Sequence, residues 1–436
     1  MDISGGTFRQ VGIGQGFAVA EEGKAVVTVR DNGVLDSWGG DVEIATRTGS
    51  VGTLNVNTGG VLRARRIYEQ NRGVSTLNFD GGTLVANPGA NGNFVEGIDT
   101  ATIAAGGLTI DSNSQSIAFN QVFGGAGGLT KIGPNKLHLN AANTYLGTTA
   151  VNGGSLGGTG SVSGTVTVDA AAAMSPGTNG AGTLTAGATT ISGAFTAEIN
   201  AGTCGKLVTT GALNISAATL NVTELNPHTA RTYVIATYTG ATPAPFAVVN
   251  APGFTINYAY NDGISSNNIA LTSTASDYQL WINGYASSIA LVDREGGDDP
   301  DSDGVTNFLE FALNGVPNSG TNSGLVRVLA QNTGGPATNE LTLVAAVRDG
   351  AVFAAGANGI QTATKDGIKY DIEGSVDLVF PGSTVSHVGS ASDTAPAATG
   401  LPNLTGTAWE YHTFRLDVSE GLPTKGFLRV NATPTP

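Results

Sequence analysis

The residues best suited to chemistry are concentrated in one acidic stretch, residues 299–310, which reads DPDSDGVTNFLE. Aspartates occupy its first, third and fifth positions, glycine the sixth and glutamate the twelfth, which is the pattern of a calcium-binding loop. Such a loop surrounds one hard cation with oxygens from side chains, one backbone carbonyl and a final bidentate carboxylate. The predicted metal ligands are Asp299, Asp301, Asp303, the Val305 carbonyl, Asn307 and Glu310.

The alternative interpretation of this stretch is a solvated acidic turn. Four carboxylates this close repel one another unless a cation lies between them, so calcium is the favoured interpretation. Gly304 supplies the sharp turn, and a helix is expected to begin near Thr306 and to end at Asn314–Gly315. Because the pattern occurs once, it predicts structural Ca²⁺ with the affinity of extracellular modules, roughly 0.1 to 1 mM, and not a calcium sensor.

A second group that could do chemistry is formed by Asp36, Trp38 and Asp41, which lie close together in the sequence. Tryptophan packs on sugar rings and carboxylates bind hydroxyl groups, so these residues could line a sugar groove. The favoured alternative is a loop tryptophan that covers the flank of the fold, because no second cluster of this kind accompanies it.

The remaining reactive residue types give weak signals. Arg63, Arg65 and Arg66 predict a solvated basic patch paired with Glu69. Cys204 has Gly and Thr neighbours and no nearby histidine, which predicts a buried, inert thiol. No serine-hydrolase, zinc-protease or phosphate-loop motif occurs, so an enzyme is not expected. Four histidines are scattered without metal-ligand spacing, which disfavours a zinc site: His138, His228, His387 and His412.

Composition limits the class of protein. The 436 residues are 40% hydrophobic and 12% charged and include 64 glycines, which favours many short strands and tight turns over long helices. The net charge of −14 disfavours nucleic acid and anionic membranes as partners. No apolar run approaches the roughly 20 residues of a spanning helix. The first residues, MDISGGTF, resemble the middle of a repeat, so a leader is expected to have been removed.

Glycine pairs and alternating strands recur along the first half of the chain. The leucines at 54, 77, 108 and 129 mark intervals of 23, 31 and 21 residues, which predicts single turns of a parallel β-solenoid with one longer loop. Asn143 is expected to occupy a corner and to bond the backbone or a neighbouring Asn. The predicted inward residues are Leu54, Val56, Leu77, Phe79, Leu84, Ile103, Leu108, Ile110, Leu129, Ile132, Leu137, Leu139 and Val151.

Residues 127–156, which read GGLTKIGPNKLHLNAANTYLGTTAVNGGSL, resemble the autotransporter-associated β-strand repeat, also called the passenger-associated transport repeat. They depart from it at Pro134-Asn135-Lys136, where the family usually has a second Gly-Thr pair. The resemblance implies a secreted or surface-exposed right-handed β-helix. The acidic loop in turn resembles the DxDxDG repeats of dockerins and thrombospondin-type modules, and secreted β-helix proteins of the Verrucomicrobia type carry such a loop after the helix. No outer-membrane barrel follows in this sequence, so self-transport is not expected.

The fold class expected is all-β: a right-handed parallel β-helix, a short helical calcium-loop junction and a C-terminal β-sandwich. Ser276 is the expected N-cap of the junction helix, in which Trp281 and Tyr285 pack against the next domain. The predicted division places β-solenoid turns at 1–205, the last turns and a β cap at 206–275, the helical linker with its EF-hand-like loop at 276–320, and the sandwich at 321–436.

These observations favour a non-enzymatic structural or adhesive protein, extracellular or on the cell surface, braced by Ca²⁺ and able to assemble into fibres. Its expected partners are copies of itself, other surface proteins or polysaccharide, with no nucleic acid and no membrane span. The competing hypothesis is a carbohydrate-binding or polysaccharide-degrading β-helix protein, a lyase or hydrolase, that uses the flank of the coil.

Overall fold

The structure of the protein is a computed structural model. It describes residues 1–10, 16–70, 72–90, 92–265, 267–322, 324–333, 340–390, 400–417 and 425–435. The chain is all-β, with about 5% of its residues in helices. It divides into two compact units, Met1–Thr274 and Ala275–Pro436.

The first unit is a parallel β-solenoid of about nine turns. Its strands are β1 (Asp2–Arg9), β2 (Phe17–Ala18), β3 (Lys24–Asp36), β4 (Val42–Glu43), β5 (Val51–Asn57), β6 (Val61–Ala64), β7 (Ile67–Tyr68), β8 (Val74–Asp80), β9 (Gly82–Ala86), β10 (Val95–Glu96), β11 (Thr100–Ile103), β12 (Leu108–Asp111), β13 (Ile117–Phe119), β14 (Leu129–Ile132), β15 (Lys136–Leu139), β16 (Ala142–Asn143), β17 (Thr149–Val151), β18 (Gly154–Gly157), β19 (Ser161–Val162), β20 (Val166–Val168), β21 (Ala172–Met174), β22 (Thr183–Ala186), β23 (Thr189–Ile191), β24 (Ala194–Asn200), β25 (Thr203–Cys204), β26 (Lys206–Thr209), β27 (Leu213–Asn214), β28 (Thr219–Asn226), β29 (Thr232–Thr237), β30 (Val248–Asn250), β31 (Phe254–Tyr260) and β32 (Asn268–Ser273).

Each complete turn contributes one strand to each of three stacked parallel ladders. For example, β5, β6 and β7 pair with β8, β9 and β10 of the next turn, and β17, β18 and β19 pair with β20, β21 and β22. The long strand β3 bends at Asp31 and Asn32, whose φ angles are 50° and 66°, so its two halves pair separately with β5 and β6. At the other end, β29, β32 and β31 pair antiparallel and complete one ladder with a hairpin-like cap.

Inward side chains of successive turns stack on one another, as the alternation predicts. Leu54 pairs with Leu77 and Leu108 pairs with Leu129. The expected longer loop between Leu77 and Leu108 is wrong, since Leu77 pairs with Ala101 and Leu108 with Gly82, in two different ladders. Leucine markers alone cannot distinguish the ladders, because every strand in the coil shows the same alternation.

All of the predicted inward residues are buried except Ile132, and this prediction is wrong. In β14 the inward positions are Leu129 and Lys131, and Ile132 lies on the partly exposed side. Strand alternation is strict, so an inward Leu129 forces Lys131 inward regardless of its charge. The corner residue Asn143 is buried; its Oδ1 accepts from the Phe123 N–H at 3.0 Å and its Nδ2 donates to two backbone carbonyls, which confirms its structural role.

The second unit begins with helix α1 (Asp277–Asn283), for which the Ser276 side chain is the N-cap, as predicted. A 3₁₀ turn (Leu291–Asp293) and helix α2 (Asn307–Ala312) follow. The strands are β33 (Val326–Gln331), β34 (Glu340–Arg348), β35 (Ala354–Ala355), β36 (Gln361–Lys365), β37 (Ile368–Ser375), β38 (Val385–Ser390), β39 (Trp409–Leu416) and β40 (Phe427–Pro434), with a 3₁₀ turn at Ala357–Gly359.

These eight strands form two antiparallel sheets, ordered β33-β34-β39-β38 and β35-β36-β37-β40. Leu343 and Phe414 of the first sheet share an apolar core with Ile372 and Leu428 of the second. The C-terminal region is therefore an antiparallel two-sheet structure, as the alternating strands predict.

Candidate metal centre

The three aspartates of the acidic loop fold the loop through their own carboxylates. Asp299 accepts from the backbone N–H groups of Asp303 at 3.2 Å and Gly304 at 2.9 Å, and Asp303 accepts from the Val305 N–H at 2.8 Å. Ser302 and Gly304 have φ angles of 62° and 91°, the left-handed conformations needed to reverse the chain this sharply. The loop is thus ordered by hydrogen bonds from its own backbone N–H groups to its aspartates.

This folding brings the three carboxylates together. One oxygen from each of Asp299, Asp301 and Asp303 lies within 4.8 Å of the other two, and all three residues are partly buried. The second oxygen of Asp301 is buried without a hydrogen-bond partner in the described chain. Three carboxylates at this separation repel one another, and a hard divalent cation would neutralise that repulsion.

Helix α2 supplies the fourth and fifth predicted ligand side chains, Asn307 and Glu310. The fully buried Asn307 uses its Nδ2 to donate to the carbonyls of Asp293 at 2.9 Å and Glu295 at 3.0 Å. These bonds fix the orientation of the amide, and its Oδ1 is left buried with no hydrogen-bond partner within the described ranges. The amide nitrogen of Asn307 is therefore held by hydrogen bonds, and its oxygen Oδ1 could coordinate a cation.

Glu310 is the most unusual residue of the site. Its side chain is 0% exposed, yet neither Oε1 nor Oε2 has a hydrogen-bond partner among the residues that the structure describes. Burial, followed by the charges of Asp301, Asp303 and Asp299, raises the pKa of Glu310 to about 8. A buried carboxylate with no donor is strongly disfavoured, so this residue is placed where only a cation or a proton could satisfy it.

The helix that carries these residues is bound firmly to the rest of its unit. The Tyr370 hydroxyl donates to the Ala312 carbonyl at 2.9 Å, and the Trp409 indole N–H donates to the Phe311 carbonyl at 3.2 Å. Phe311 is buried in a cluster with Val347, Ile368 and Tyr370. The ring of Trp281 lies 5.4 Å from Phe311, so the α1 aromatic packs on α2 within the same unit.

The donor set fits Ca²⁺. It offers carboxylate and amide oxygens, which are the hard ligands that this ion prefers, and no nitrogen or sulfur. Val305 lies directly after Gly304, and ligation by its carbonyl remains a prediction from the loop pattern. Asp299, Asp301, Asp303, Asn307 and Glu310 would hold the ion, which would act as a structural cross-link between the loop and α2.

The structure places the second predicted group at one corner of the solenoid, where its members have different surroundings. Asp36 is buried and accepts from the Trp38 backbone N–H at 2.9 Å and from Arg9 Nε at 3.0 Å, whereas Trp38 is 53% exposed. That Trp38 covers the flank of the coil remains a prediction. Asp41 forms an ion pair with Arg65 at 2.9 Å.

The pairing predicted for the arginines is also wrong. Arg65 pairs with Asp41 and Arg66 with Glu96, both of which lie on neighbouring turns. Glu69 accepts from the backbone N–H groups of Arg72 and Gly73. Partners in a solenoid come from the adjacent turns some 20 to 30 residues away, so proximity in sequence is a poor guide to them.

Sequence spacing missed one cluster, formed by His387 on β38 and His412 on β39. Nδ1 of His412 lies 2.9 Å from Nε2 of His387, and the two rings stack with centroids 5.0 Å apart. Burial lowers the pKa of both histidines, and the neighbouring His412 lowers that of His387 further. Cys204 is only partly buried, which differs from the fully buried thiol predicted, and burial raises the pKa of its thiol to about 11.

Comparisons with known proteins add no assignment: no family model matches this chain, and neither a curated protein nor a solved structure is detectably similar to it. A search of the described helices finds none with the length and apolarity needed to cross a bilayer.

Proposed function

We propose that this chain is a structural or adhesive β-solenoid protein of the cell exterior, whose C-terminal unit is braced by one structural Ca²⁺. The observation that carries the proposal is Glu310, a fully buried carboxylate without a hydrogen-bond donor in the described structure, next to three aspartates. A site of this affinity class is filled at the millimolar calcium of extracellular fluids and largely empty at cytosolic concentrations. The requirement for calcium thus supports an exterior location.

The solenoid supports the scaffold part of the proposal. Its outer surface carries hydrogen-bonded asparagine ladders, such as Asn140 Nδ2 to Asn120 Oδ1 at 2.9 Å and Asn120 Nδ2 to Asn93 Oδ1 at 3.2 Å. These bonds repeat with the turns and stiffen the coil along its axis. The resemblance of residues 127–156 to the autotransporter-associated repeat supports the same class.

The calcium proposal is tested by thermal unfolding of the full chain in chelator and in 10 mM CaCl₂. A site with a Kd of roughly 0.1 to 1 mM stabilises the folded state by about 1.4 to 2.7 kcal/mol at this concentration. The C-terminal unit should therefore melt roughly 3 to 10 °C higher with calcium. Asp301→Ala should abolish this shift, whereas the exposed Asp349→Asn should retain it as a matched acidic control. An unchanged melting temperature in wild type would refute the site.

The structural role is tested by electron microscopy of the purified protein in calcium. Filaments or regular lateral assemblies without hydrolytic activity are expected. Dispersed monomers that depolymerise a polysaccharide would replace the scaffold proposal with an enzymatic one.

A further inference from the structure

One corner of the solenoid contains a notch that the calcium site and the scaffold role do not explain. The strands on either side of this corner are joined by residues 37–41, 65–66 and 87–94 in three consecutive turns. The middle connection is only two residues long, while its neighbours have five and eight. Strands two turns apart in the stack are separated by about 9.6 Å.

Hydrogen bonds join the two longer connections that border this notch. Nδ2 of Asn87 donates to the Trp38 carbonyl at 3.2 Å and to Asp36 Oδ1 at 3.2 Å, across two turns. The Trp38 N–H is bound by Asp36, so both backbone polar groups of Trp38 are fixed. Trp38 is held in this way at a φ of 51°, a conformation that non-glycine residues seldom adopt. The backbone of Trp38 is therefore fixed by hydrogen bonds, and its indole is exposed to solvent.

The notch comprises two adjoining hollows with different linings. The first has a cavity volume of about 230 Å³ and is lined by Trp38, Gly39, Asn87 and Pro88. The second has a cavity volume of about 270 Å³ and is lined by Asp41, Arg65, Arg66, Gly89 and Asn93. An apolar slot beside a polar one suits a ligand whose faces are apolar and whose edges carry hydrogen-bonding groups.

Charge at the notch is balanced. Arg9 lies 4.5 Å from the Trp38 ring and pairs with Asp36, Arg65 pairs with Asp41, and Arg66 pairs with Glu96. The lining thus offers donors and acceptors side by side without an unmatched guanidinium to select an anion. Hydroxyl groups, which donate and accept at once, complement such a surface.

We propose that this notch is a binding site for a neutral, hydroxyl-rich polysaccharide, with one sugar ring against Trp38 and Pro88 and the next at Asp41, Arg65 and Asn93. This proposal names a class of ligand for the adhesive role proposed above. The biological role of the notch rests on that proposed function. The site itself depends on the solenoid unit alone and requires no calcium.

The test is affinity electrophoresis of the full chain in gels that contain laminarin, barley β-glucan or galactomannan, with polygalacturonate as the anionic comparison. Wild-type protein should be retarded by at least one neutral polysaccharide, equally in calcium and in chelator. Trp38→Ala should weaken retardation about tenfold or more, because the exposed indole supplies the stacking surface. Arg65→Gln should weaken it less. Leu146→Ala, at another exposed position of the solenoid, is the matched control and should behave as wild type.

Three outcomes would overturn the proposal: no retardation by any of the neutral polysaccharides, retardation by polygalacturonate alone, or retardation that Trp38→Ala leaves intact. Circular dichroism of each variant confirms that the solenoid is folded. The calcium-dependent melting shift is measured on the same samples, so a failure of the calcium site and a failure of the notch are distinguished.

Discussion

Lys131 in the solenoid and Glu310 in the C-terminal unit are both 0% exposed, but their surroundings are opposite. Lys131 Nζ donates to Ser112 Oγ at 2.9 Å and to the carbonyls of Ile132, Gly133 and Gly153 at 2.7 to 3.1 Å. Glu310 has no donor within the described residues. A buried charged group whose hydrogen-bond partners come from the chain itself stabilises the scaffold. A buried charged group without such partners indicates a candidate binding site.

Lys131 and Glu310 also differ in which groups surround their charged atoms. Lys131 takes its acceptors from three successive turns, so the ammonium group fastens one turn to the next. Burial lowers its pKa to about 8, against the favourable charge of Asp111. Burial raises the pKa of Glu310, and the carboxylates of its own loop raise it further. The solenoid thus supplies the partners of Lys131 itself, whereas the proposed cation would supply the partner of Glu310.

Removal of the buried ammonium is expected to have the largest effect. Lys131→Met keeps the side-chain length but leaves buried carbonyls without their donor, which should lower the free energy of unfolding of the solenoid by about 3 kcal/mol. Chemical denaturation followed by circular dichroism measures this loss. Lys136→Met removes a partly exposed ion pair with Glu198 and should cost much less. Equal losses in the two variants would contradict the scaffold role of Lys131.

Glu310→Gln should stabilise the C-terminal unit without calcium and reduce the stabilisation that calcium gives. In chelator the neutral amide removes a buried, unpaired charge and should stabilise the C-terminal unit by about 1 to 3 kcal/mol. In 10 mM calcium the variant should gain less than the wild type, because the bidentate ligand is lost. Paired melting curves measure both effects. A variant that is less stable than wild type in chelator would contradict this account of Glu310.

The histidine pair should make the C-terminal unit sensitive to acid. The folded-state pKa of His387 and His412 is lowered, so the folded unit binds fewer protons than the unfolded chain below pH 6.5. Stability from these neutral histidines is present above about pH 6.5 and is lost as the pH falls through their folded pKa values. The free energy of unfolding of His387→Asn should therefore be closer to that of wild type at pH 5 than at pH 7. A pH-independent deficit would exclude this linkage.

The smallest effect is expected on the outer surface of the solenoid. Asn140→Ala removes two exposed hydrogen bonds, the ladder bond to Asn120 and the one from the Thr159 N–H, and should change the free energy of unfolding by no more than about 0.5 kcal/mol. Asn143→Ala removes three bonds of a buried amide and should cost about 2 kcal/mol. Chemical denaturation of both variants compares the free energy of unfolding lost at the Asn143 amide with that lost at the Asn140 ladder position. A larger loss from Asn140→Ala would mean that the ladders, and not the corners, hold the turns together.

Local sequence patterns predicted much of the architecture. Glycine turns and alternation predicted the solenoid, the inward leucines and the buried corner role of Asn143, because these features depend on the residue's own strand and turn. The acidic loop was likewise recognisable, since its six positions lie within twelve residues. The helix predicted to begin near Thr306 and to end at Asn314–Gly315 spans Asn307–Ala312.

The failed and missed pairings share one cause, which is partnership between residues far apart in the chain. Asp41 with Arg65, Arg66 with Glu96, and His387 with His412 are brought together by turns or strands 24 to 30 residues away. The inward position of Lys131 followed from strand alternation, but its acceptors from Ser112 to Gly153 were set by the stacking of turns.

The sequence by itself determined that this chain coils into short parallel strands and that one loop concentrates hard oxygen ligands, because both follow from the spacing of neighbouring residues. Only the tertiary structure decided which charges are matched. It matched Lys131 with four oxygens, left Glu310 buried beside three aspartates, and opened a notch where a two-residue corner lies between longer ones. Burial and the supply of partners are properties of the packed chain, and these properties separate the scaffold from its candidate binding sites.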